Sequence, residues 1–444
     1  MDAAQVAEDE RLREVAGVAL VHSHSHEYGS DECFECTDID AAVGSTSRIG
    51  GHWAVSITRG VGVHEDTSRP CQNSAPCRRG EYAARTKGTK LMSTKRRIGI
   101  VGLDHWYIGR EVPAVAARRD DAAVIAVAHH HAANRHELAE RWSIPLETDD
   151  LMAVATHPEV DVVVTACATS DHVDVALAAA RHGKHLVTVK PCAMTVADAE
   201  RLRDGVKAAG VLAVPFEAHT RFQPHGRTFG RLIREGAIGT PISATLIGRF
   251  TVDGARLDWP GQPNLNAWWM DPTKVPGGGW IDHAIYLVDW LEWAFADRIV
   301  RASGVTKTLV HHDLHPEKED FGVALLEFSR GAVATVEVTW SSPRGHYFMA
   351  WQVVGSDADL AWDGTISPGM SIRARHHAGD GTSEAGKWQP LAPDGSESTT
   401  CLDHLLTCLS TGASPAATLD DSVHTLQACL AFYEASRTGR CVAI

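Results

Sequence analysis

The chain has 444 residues, 44% hydrophobic and 22% charged, with 42 lysines and arginines against 56 aspartates and glutamates for a formal net charge of −14. At roughly 150 residues per domain this length asks for two or three cores, and the composition is that of a globular protein rather than a disordered one. An acidic chain without a basic stripe interleaved with aromatics excludes a nucleic-acid binder, and the lack of both a run of roughly 18 apolar residues and a basic leader excludes a membrane span and a signal peptide, so a cytoplasmic protein is expected.

Residues 1–91 show one short helix, Glu8 to Val18, and then Gly, Ser, Thr and Arg without hydrophobic periodicity, which reads as an extension with no core. Cys33, Cys36, Cys71 and Cys77, with His22, His24 or His26, are residue types that ligate zinc. Only the first cysteine pair has C-x-x-C spacing, while five residues separate the second, so no metal site is expected. The chain's 10 cysteines are read as reduced thiols. Met92-Ser-Thr-Lys-Arg-Arg runs straight into an apolar strand, as a protein start does, which makes Met92 the expected initiator.

From there strands and helices alternate: strands at 98–101, 124–128, 160–165, 186–189 and 211–216, with helices from about Gly109 and over 133–142, 172–181 and 196–209. Continuous Val, Ile and Ala runs suit strands buried on both faces, so residues 92–216 are expected to form a Rossmann-type doubly wound parallel sheet that binds a dinucleotide. Residues 217–444 change texture. Strands at 243–250, 322–328 and 332–339 follow one another with few helices, which implies an α+β domain with a largely antiparallel open sheet. Helices at 401–409 and 419–438 close the chain, Gly439 capping the last and the pair expected to pack back on the first domain.

A strand ending at Val101-Gly102 and turning into a helix presents free N–H groups and a positive helix end to a pyrophosphate. The fingerprint G-x-G-x-x-G is damaged here: Gly102-Leu103-Asp104-His105-Trp106-Tyr107 keeps its first glycine only, and Asp104 adds bulk and like charge where the backbone should approach phosphate. Either the loop is remodelled towards Gly109, or the cofactor sits differently or not at all. The second strand ends on Ala128-His129-His130-His131 with no acid for the ribose, and Arg135 follows, which leaves NAD versus NADP undecided.

In order, Ile98-Gly-Ile-Val-Gly102, Asp161-Val-Val-Val-Thr165, Thr169-Ser-Asp-His172, Gly183-Lys-His-Leu186, Lys190-Pro191, Thr220-Arg-Phe222, Glu235-Gly-Ala-Ile-Gly239, Pro276-Gly-Gly-Gly-Trp-Ile-Asp282 and Tyr433-Glu-Ala-Ser-Arg-Thr-Gly439 make residues 95–444 resemble the Gfo/Idh/MocA family of sugar and polyol oxidoreductases. The resemblance implies NAD(P) as cofactor, held by Gly102, Leu103, Asp104, His105, His129, Arg135, Thr169, His172 and Lys190. It implies a sugar or polyol substrate lined by His219, Arg221, Trp268, Trp269, Lys274 and His283, and a homo-oligomer.

The family's Glu-Lys-Pro reads Val189-Lys190-Pro191, so the lysine is kept and its acidic neighbour is not. Asp282, Tyr286, Asp289 and Trp293 lie at i, i+4, i+7 and i+11, one helix face, with Tyr286 where the family commonly has histidine. The expected catalytic set is therefore Tyr286 as acid/base, Lys190 lowering its pKa from roughly 10, and Asp282 orienting substrate. His283, about 100° around the helix, is expected to pack. Two rivals remain open: NAD-assisted elimination or glycoside cleavage on the same fold, and a non-catalytic dinucleotide and sugar sensor.

Overall fold

The computed structural model describes residues 95–444, apart from 260–261, 264–266, 344–345, 365–368, 375–385 and 396–397, and the backbone of one antiparallel strand pair, Thr46–Ile49 with His52–Val55. The chain divides into two units, Met1–Lys87 and Gly88–Ile444. That strand pair belongs to the first unit and departs from the expectation that only one helix forms there. The short helix, the four cysteines weighed against zinc and the start at Met92 lie outside the described residues.

In the second unit β1 (Arg96–Val101), β2 (Ala122–Ala128), β3 (Leu146–Thr148), β4 (Val162–Thr165), β5 (His185–Thr188) and β6 (Ala213–Pro215) form a parallel sheet in the order β3-β2-β1-β4-β5-β6. The Val and Ile runs of β1 and β4 are fully buried because helices cover both faces, as a parallel sheet requires. The strand order reverses between β1 and β4, and ligands of such sheets bind at the carboxyl ends flanking that point. The helices are α1 (Trp106–Ala117), α2 (Ala132–Trp142), α3 (Leu151–Ala155), α4 (Thr169–Arg181) and α5 (Val196–Ala209). Strand β3 and helix α3 were too short to carry periodicity. Helix α1 starts three residues before the expected Gly109, because Gly102, at φ +86°, turns the chain directly off β1. A Cβ at Gly102 would sit 2.4 Å from the Cys167 backbone, so this glycine is needed for both conformation and close approach.

After one short helical turn, α6 (His219–Phe222), and the 11-residue helix α7 (Pro224–Arg234) comes β7 (Pro241–Arg249). Helix α8 (Gly279–Phe295) follows, then β8 (Ile299–Lys307), β9 (Phe321–Phe328), β10 (Val333–Thr339), β11 (Phe348–Gly355), β12 (Ala358–Asp363), β13 (Gly369–Ala374) and β14 (Gln389–Leu391). Helices α9 (Cys401–Thr411) and α10 (Leu419–Thr438) and strand β15 (Val442–Ala443) end the chain. The second sheet runs β14-β13-β12-β11-β7-β10-β9-β8-β15, antiparallel except for the pair β7 and β10. Alternating burial along β7 and β9 shows one face covered, and α8 and α10 lie on it. Trp280 Nε1 fastens α8 to that face by donating to Val336 O at 3.1 Å. Helix α9 packs back on β5, β6 and α1 of the first sheet. Capping boxes at Thr400/Asp403 and Thr418/Asp421 start α9 and α10, and Gly439 at φ +67° closes α10.

Arg221, expected in the substrate pocket, does another job. Its guanidinium makes a two-pronged pair with Asp289 of α8, at 2.7 and 2.6 Å, and donates to Ala416 O at 3.1 Å, with both side chains buried. The pair ties α6 to α8 and to the segment before α10. Arg221→Met would leave the Asp289 charge buried and unpaired, so it is expected to lower unfolding free energy by about 3–5 kcal/mol, with the double change Arg221→Met/Asp289→Leu recovering most of the loss. Urea titration of the three variants measures this; a single variant as stable as the parent would exclude the role.

Candidate active site

The end of β5 is held in place by three buried side chains. Val189 N donates to Thr165 Oγ1 at 3.0 Å, Cys192 N to Glu217 Oε1 at 2.8 Å, and the His172 ring nitrogen Nδ1 to Cys192 O at 2.7 Å. Lys190 lies between these anchors, only 1% exposed, and its ammonium donates to Asp282 Oδ1 and to the Asp282 main-chain oxygen, each at 2.6 Å. The site thus joins the first sheet to the first turn of α8.

The start of α8 and its approach are gripped by Lys318 and Glu319, just before β9, while Asp320 beside them holds the segment 309–311. Lys318 Nζ donates to the carbonyls of Val275 and Gly277, at 2.8 and 2.6 Å. Glu319 accepts from Gly278 N at 3.2 Å, Trp280 N at 2.9 Å and the Tyr433 hydroxyl at 2.7 Å. Asp320 accepts from three amides, Leu309, Val310 and His311, at 2.7–2.8 Å. A Cβ at Gly278 would stand 2.6 Å from the Glu319 backbone, which is why the Pro-Gly-Gly-Gly run is needed for the approach. Burial raises the Glu319 carboxyl to about 7 despite these donors. Sequence reasoning missed the whole clamp, since Lys-Glu-Asp reads as a solvated turn until tertiary packing buries it.

Asp282 is held at both carboxylate oxygens. Besides Lys190, its Oδ2 accepts from Trp340 Nε1 at 3.0 Å and lies 3.1 Å from His283 Nδ1. Burial alone would raise its pKa, yet His283 and Lys190 overcome that and hold the carboxyl well below its usual range. The Lys190 pKa is lowered by burial, against the opposing pull of Asp282.

Beside this pair opens a cavity of about 600 Å³. His105, Tyr107, His219, Trp268, Trp269, Asp282, His283 and Tyr286 all face it, so most of the expected substrate and catalytic residues are brought together. His219 stacks on Phe216, and burial lowers its pKa to about 4. His283 both packs and lines, its ring stacked 3.6 Å from Phe250. Lys274 is exposed and away from the cavity lining, in contrast to the expectation; its main chain accepts from Ser170 N at 3.0 Å.

The expected tuning of Tyr286 by Lys190 is also corrected. The ammonium lies over ring faces, 4.2 Å from the Trp269 centroid and 5.1 Å from that of Tyr286, with its charge committed to Asp282. The Tyr286 hydroxyl instead meets the Tyr107 hydroxyl at 3.0 Å. Burial first, then Tyr107 and the Asp282 charge, push the Tyr286 pKa well above its ordinary value. Tyr107 was not singled out from sequence; the signal was a bulky phenol where the fingerprint calls for small residues.

The phosphate loop fits a dinucleotide in its architecture and resists it at one point. Thr169 Oγ1 and His172 Nε2, at the start of α4, are buried without a partner, and such atoms suit a polar ligand at the carboxyl end of β4. Yet Leu103 N already donates to His129 Nδ1 at 3.2 Å, and Ala168 N to Asp104 Oδ2 at 3.2 Å. Arg135 donates to His129 O at 3.1 Å and so braces the histidine. Asp104, His129 and His130 bring one ligand atom each within 4.8 Å of one another, the one such grouping among the described residues. Burial raises the Asp104 pKa to about 7, with Asp171 adding to it and Lys274 opposing, while burial keeps neighbouring His129 neutral at about 3. Below pH 7 Asp104 is neutral and tolerates a pyrophosphate; above it, the carboxylate repels one. NAD⁺ affinity is therefore expected to fall up to about tenfold per pH unit above 7, and Asp104→Asn to tighten binding and flatten the dependence. Titration calorimetry between pH 6 and 8.5 decides it, and a flat parent profile would refute the assignment.

Two family models match the chain: an oxidoreductase family with NAD-binding Rossmann fold over residues 96–216, and the GFO/IDH/MocA C-terminal domain over residues 227–361. The chain is 28% identical to scyllo-inositol 2-dehydrogenase (NAD(+)) of Bacillus subtilis over 311 residues, covering 68% of this chain and 81% of that protein. It is 25% identical to D-apiose dehydrogenase of Paraburkholderia graminis over 354 residues, 78% and 87% of the two chains. The crystal structure of aldose-aldose oxidoreductase from Caulobacter crescentus, complexed with glycerol, superposes with a TM-score of 0.65 at 26% identity, over 79% of this chain and 100% of that one. With the doubly wound sheet, the open sheet behind it and the cleft between them, these matches show that the chain belongs to the Gfo/Idh/MocA family and is an NAD(P)-dependent oxidoreductase.

Proposed function

We propose that the protein moves a hydride between the nicotinamide and a carbinol carbon of an uncharged sugar or polyol, with Tyr286 exchanging the hydroxyl proton. The observation that carries this reading is Tyr286 lining an aromatic cavity beside the buried Lys190–Asp282 pair. When bound, the nicotinamide supplies or accepts the hydride. Trp268, Trp269, Phe216 and Phe250 offer flat apolar walls to the C–H faces of a ring, and His219, Gln223 and Tyr286 offer hydrogen-bonding groups at its edges.

Charge narrows the substrate class. Among the described residues that line the cavity there is no lysine or arginine, while Asp104, Glu111 and Asp282 are acidic. A uronate or a sugar phosphate would bring a charge with no counterion, which disfavours it strongly in a desolvated site. The relatives named for an inositol and for D-apiose support an uncharged polyhydroxylated substrate.

Lys190 serves as a positioning residue: its ammonium fixes Asp282 and the start of α8, and thereby the helical turn that presents Tyr286. Asp282 acts as a fixed negative charge that keeps the phenol protonated.

Tyr286→Phe is expected to lower turnover by roughly 10²–10⁴ while NAD(P) affinity stays unchanged. Assays with scyllo-inositol, D-xylose and levoglucosan beside D-glucuronate and D-glucose 6-phosphate test both parts. Preference for the charged sugars, or full turnover by Tyr286→Phe, would overturn the reading.

A further inference from the structure

We propose that Tyr286, Tyr107 and His105 form a proton relay, in which the substrate hydroxyl exchanges its proton with an imidazole through two phenols. This rests on the reading above, in which Tyr286 meets the substrate. The chain is continuous: the Tyr286 and Tyr107 hydroxyls are 3.0 Å apart, and the Tyr107 hydroxyl is 3.2 Å from His105 Nδ1. All three side chains border the same cavity. Their rings are held by packing, with His105 4.5 Å from Trp268 and 5.5 Å from Trp269, and Tyr107 6.1 Å from Phe216, centroid to centroid.

The sequence origin of the relay is the stretch that spoils the glycine fingerprint. His105 immediately precedes α1 and Tyr107 lies in its first turn, so a small-residue loop has been replaced by groups able to carry a proton. A relay also answers a difficulty that a lone tyrosine cannot. Burial and the Asp282 charge oppose a phenolate on either Tyr107 or Tyr286. If each phenol gains one proton as it gives up another, neither bears a standing negative charge, and the charge change falls on His105, where burial and Lys190 still oppose a cation but the Asp282 charge, which opposes a phenolate, favours it.

In the oxidative direction the carbinol C–H bond breaks with its electron pair leaving as hydride to the oxidised nicotinamide. The carbinol O–H proton passes to Tyr286, the Tyr286 proton to Tyr107 and the Tyr107 proton to His105 Nδ1, in the tautomer with Nε2 protonated. The carbinol becomes a carbonyl, both phenols are regenerated, and the imidazole ends as imidazolium. Reduction runs the same chain backwards. Burial, then the Lys190 charge, hold the His105 pKa well below its usual value, so the imidazolium readily returns its proton to a developing alkoxide.

The test uses the full chain and three variants, Tyr286→Phe, Tyr107→Phe and His105→Gln, with scyllo-inositol and D-xylose as hydride donors to NAD⁺ or NADP⁺. Tyr107→Phe and His105→Gln are expected to lower kcat by about 10²-fold with KM little changed. In H₂O/D₂O mixtures the parent kcat should fall along a curve, as for several protons in flight, and that of Tyr107→Phe along a line. In the cofactor-free chain, labelled with ¹⁵N-histidine and assigned by loss of a signal in His105→Gln, the Nδ1 resonance should show an accepted hydrogen bond that Tyr107→Phe removes. An Nδ1 resonance indifferent to Tyr107→Phe overturns the relay whether or not either sugar is turned over. Full kcat in Tyr107→Phe with an inactive Tyr286→Phe overturns the relay and keeps the proposed function; full kcat in Tyr286→Phe overturns both.

Discussion

The pair formed by Lys190 and Asp282 is the constraint on which the active cleft depends. Removing two charges from water costs several kcal/mol per ion, and their attraction offsets this only when the remaining donors and acceptors are also engaged. Here they are, because the ammonium bonds the Asp282 main-chain oxygen as well as its carboxylate, and Trp340 takes the other carboxylate oxygen. The pair therefore fastens the end of a parallel strand to the first turn of a helix that lies on a different sheet. Tyr286 follows Asp282 by one helical turn, so its hydroxyl inherits the position that the pair sets.

Around that pair the protein uses buried ionisable groups as anchors for backbone. Glu217, raised by burial to about 8, takes the Cys192 amide, and Glu319 takes the amides at the start of α8. Such a hydrogen bond is worth about 0.5–1.5 kcal/mol net when the carboxyl is neutral and about 1.5–3 kcal/mol when it is charged. The geometry is strong enough to hold a glycine-rich turn against its conformational freedom. Val189 brings no carboxylate to Lys190 from the neighbouring position, and the anchor on this strand end comes instead from Glu217, across the sheet.

The altered phosphate loop has a coherent internal logic. Asp104 and His129 occupy the two amides that a small-residue loop would leave open, and Asp104 O accepts from Trp268 Nε1 at 2.8 Å, which closes the cavity wall. Asp104 puts bulk and a titratable carboxyl at this loop, and the same stretch supplies His105 and Tyr107 to the cleft. One local stretch thus shapes both the phosphate loop and the cleft.

The alternation of buried Val and Ile runs with amphipathic helices, the switch to alternating strands after Pro241 and the capped last helix were legible along the chain, because each depends on spacing within a few residues. Helical phase also put Asp282 and Tyr286 on one face, and both line the cavity beside Lys190. What the chain could not show was which charges end up buried together. Arg221 reads as a pocket residue until Asp289 claims it and Lys274 until its side chain turns out to solvent, and nothing along the chain marks Lys318 and Glu319 as the residues that hold the start of α8. Nor could it show that Lys190 spends its charge on Asp282 rather than on Tyr286, or that Tyr107 completes a chain to His105. Local sequence determined the elements, since hydrophobic period and capping act over one or two turns. Tertiary structure alone decided the partners of the buried polar groups, because those partners lie far apart along the chain, 200 residues in the case of Arg221 and Asp421, and each is set by which donor reaches which acceptor once water is excluded.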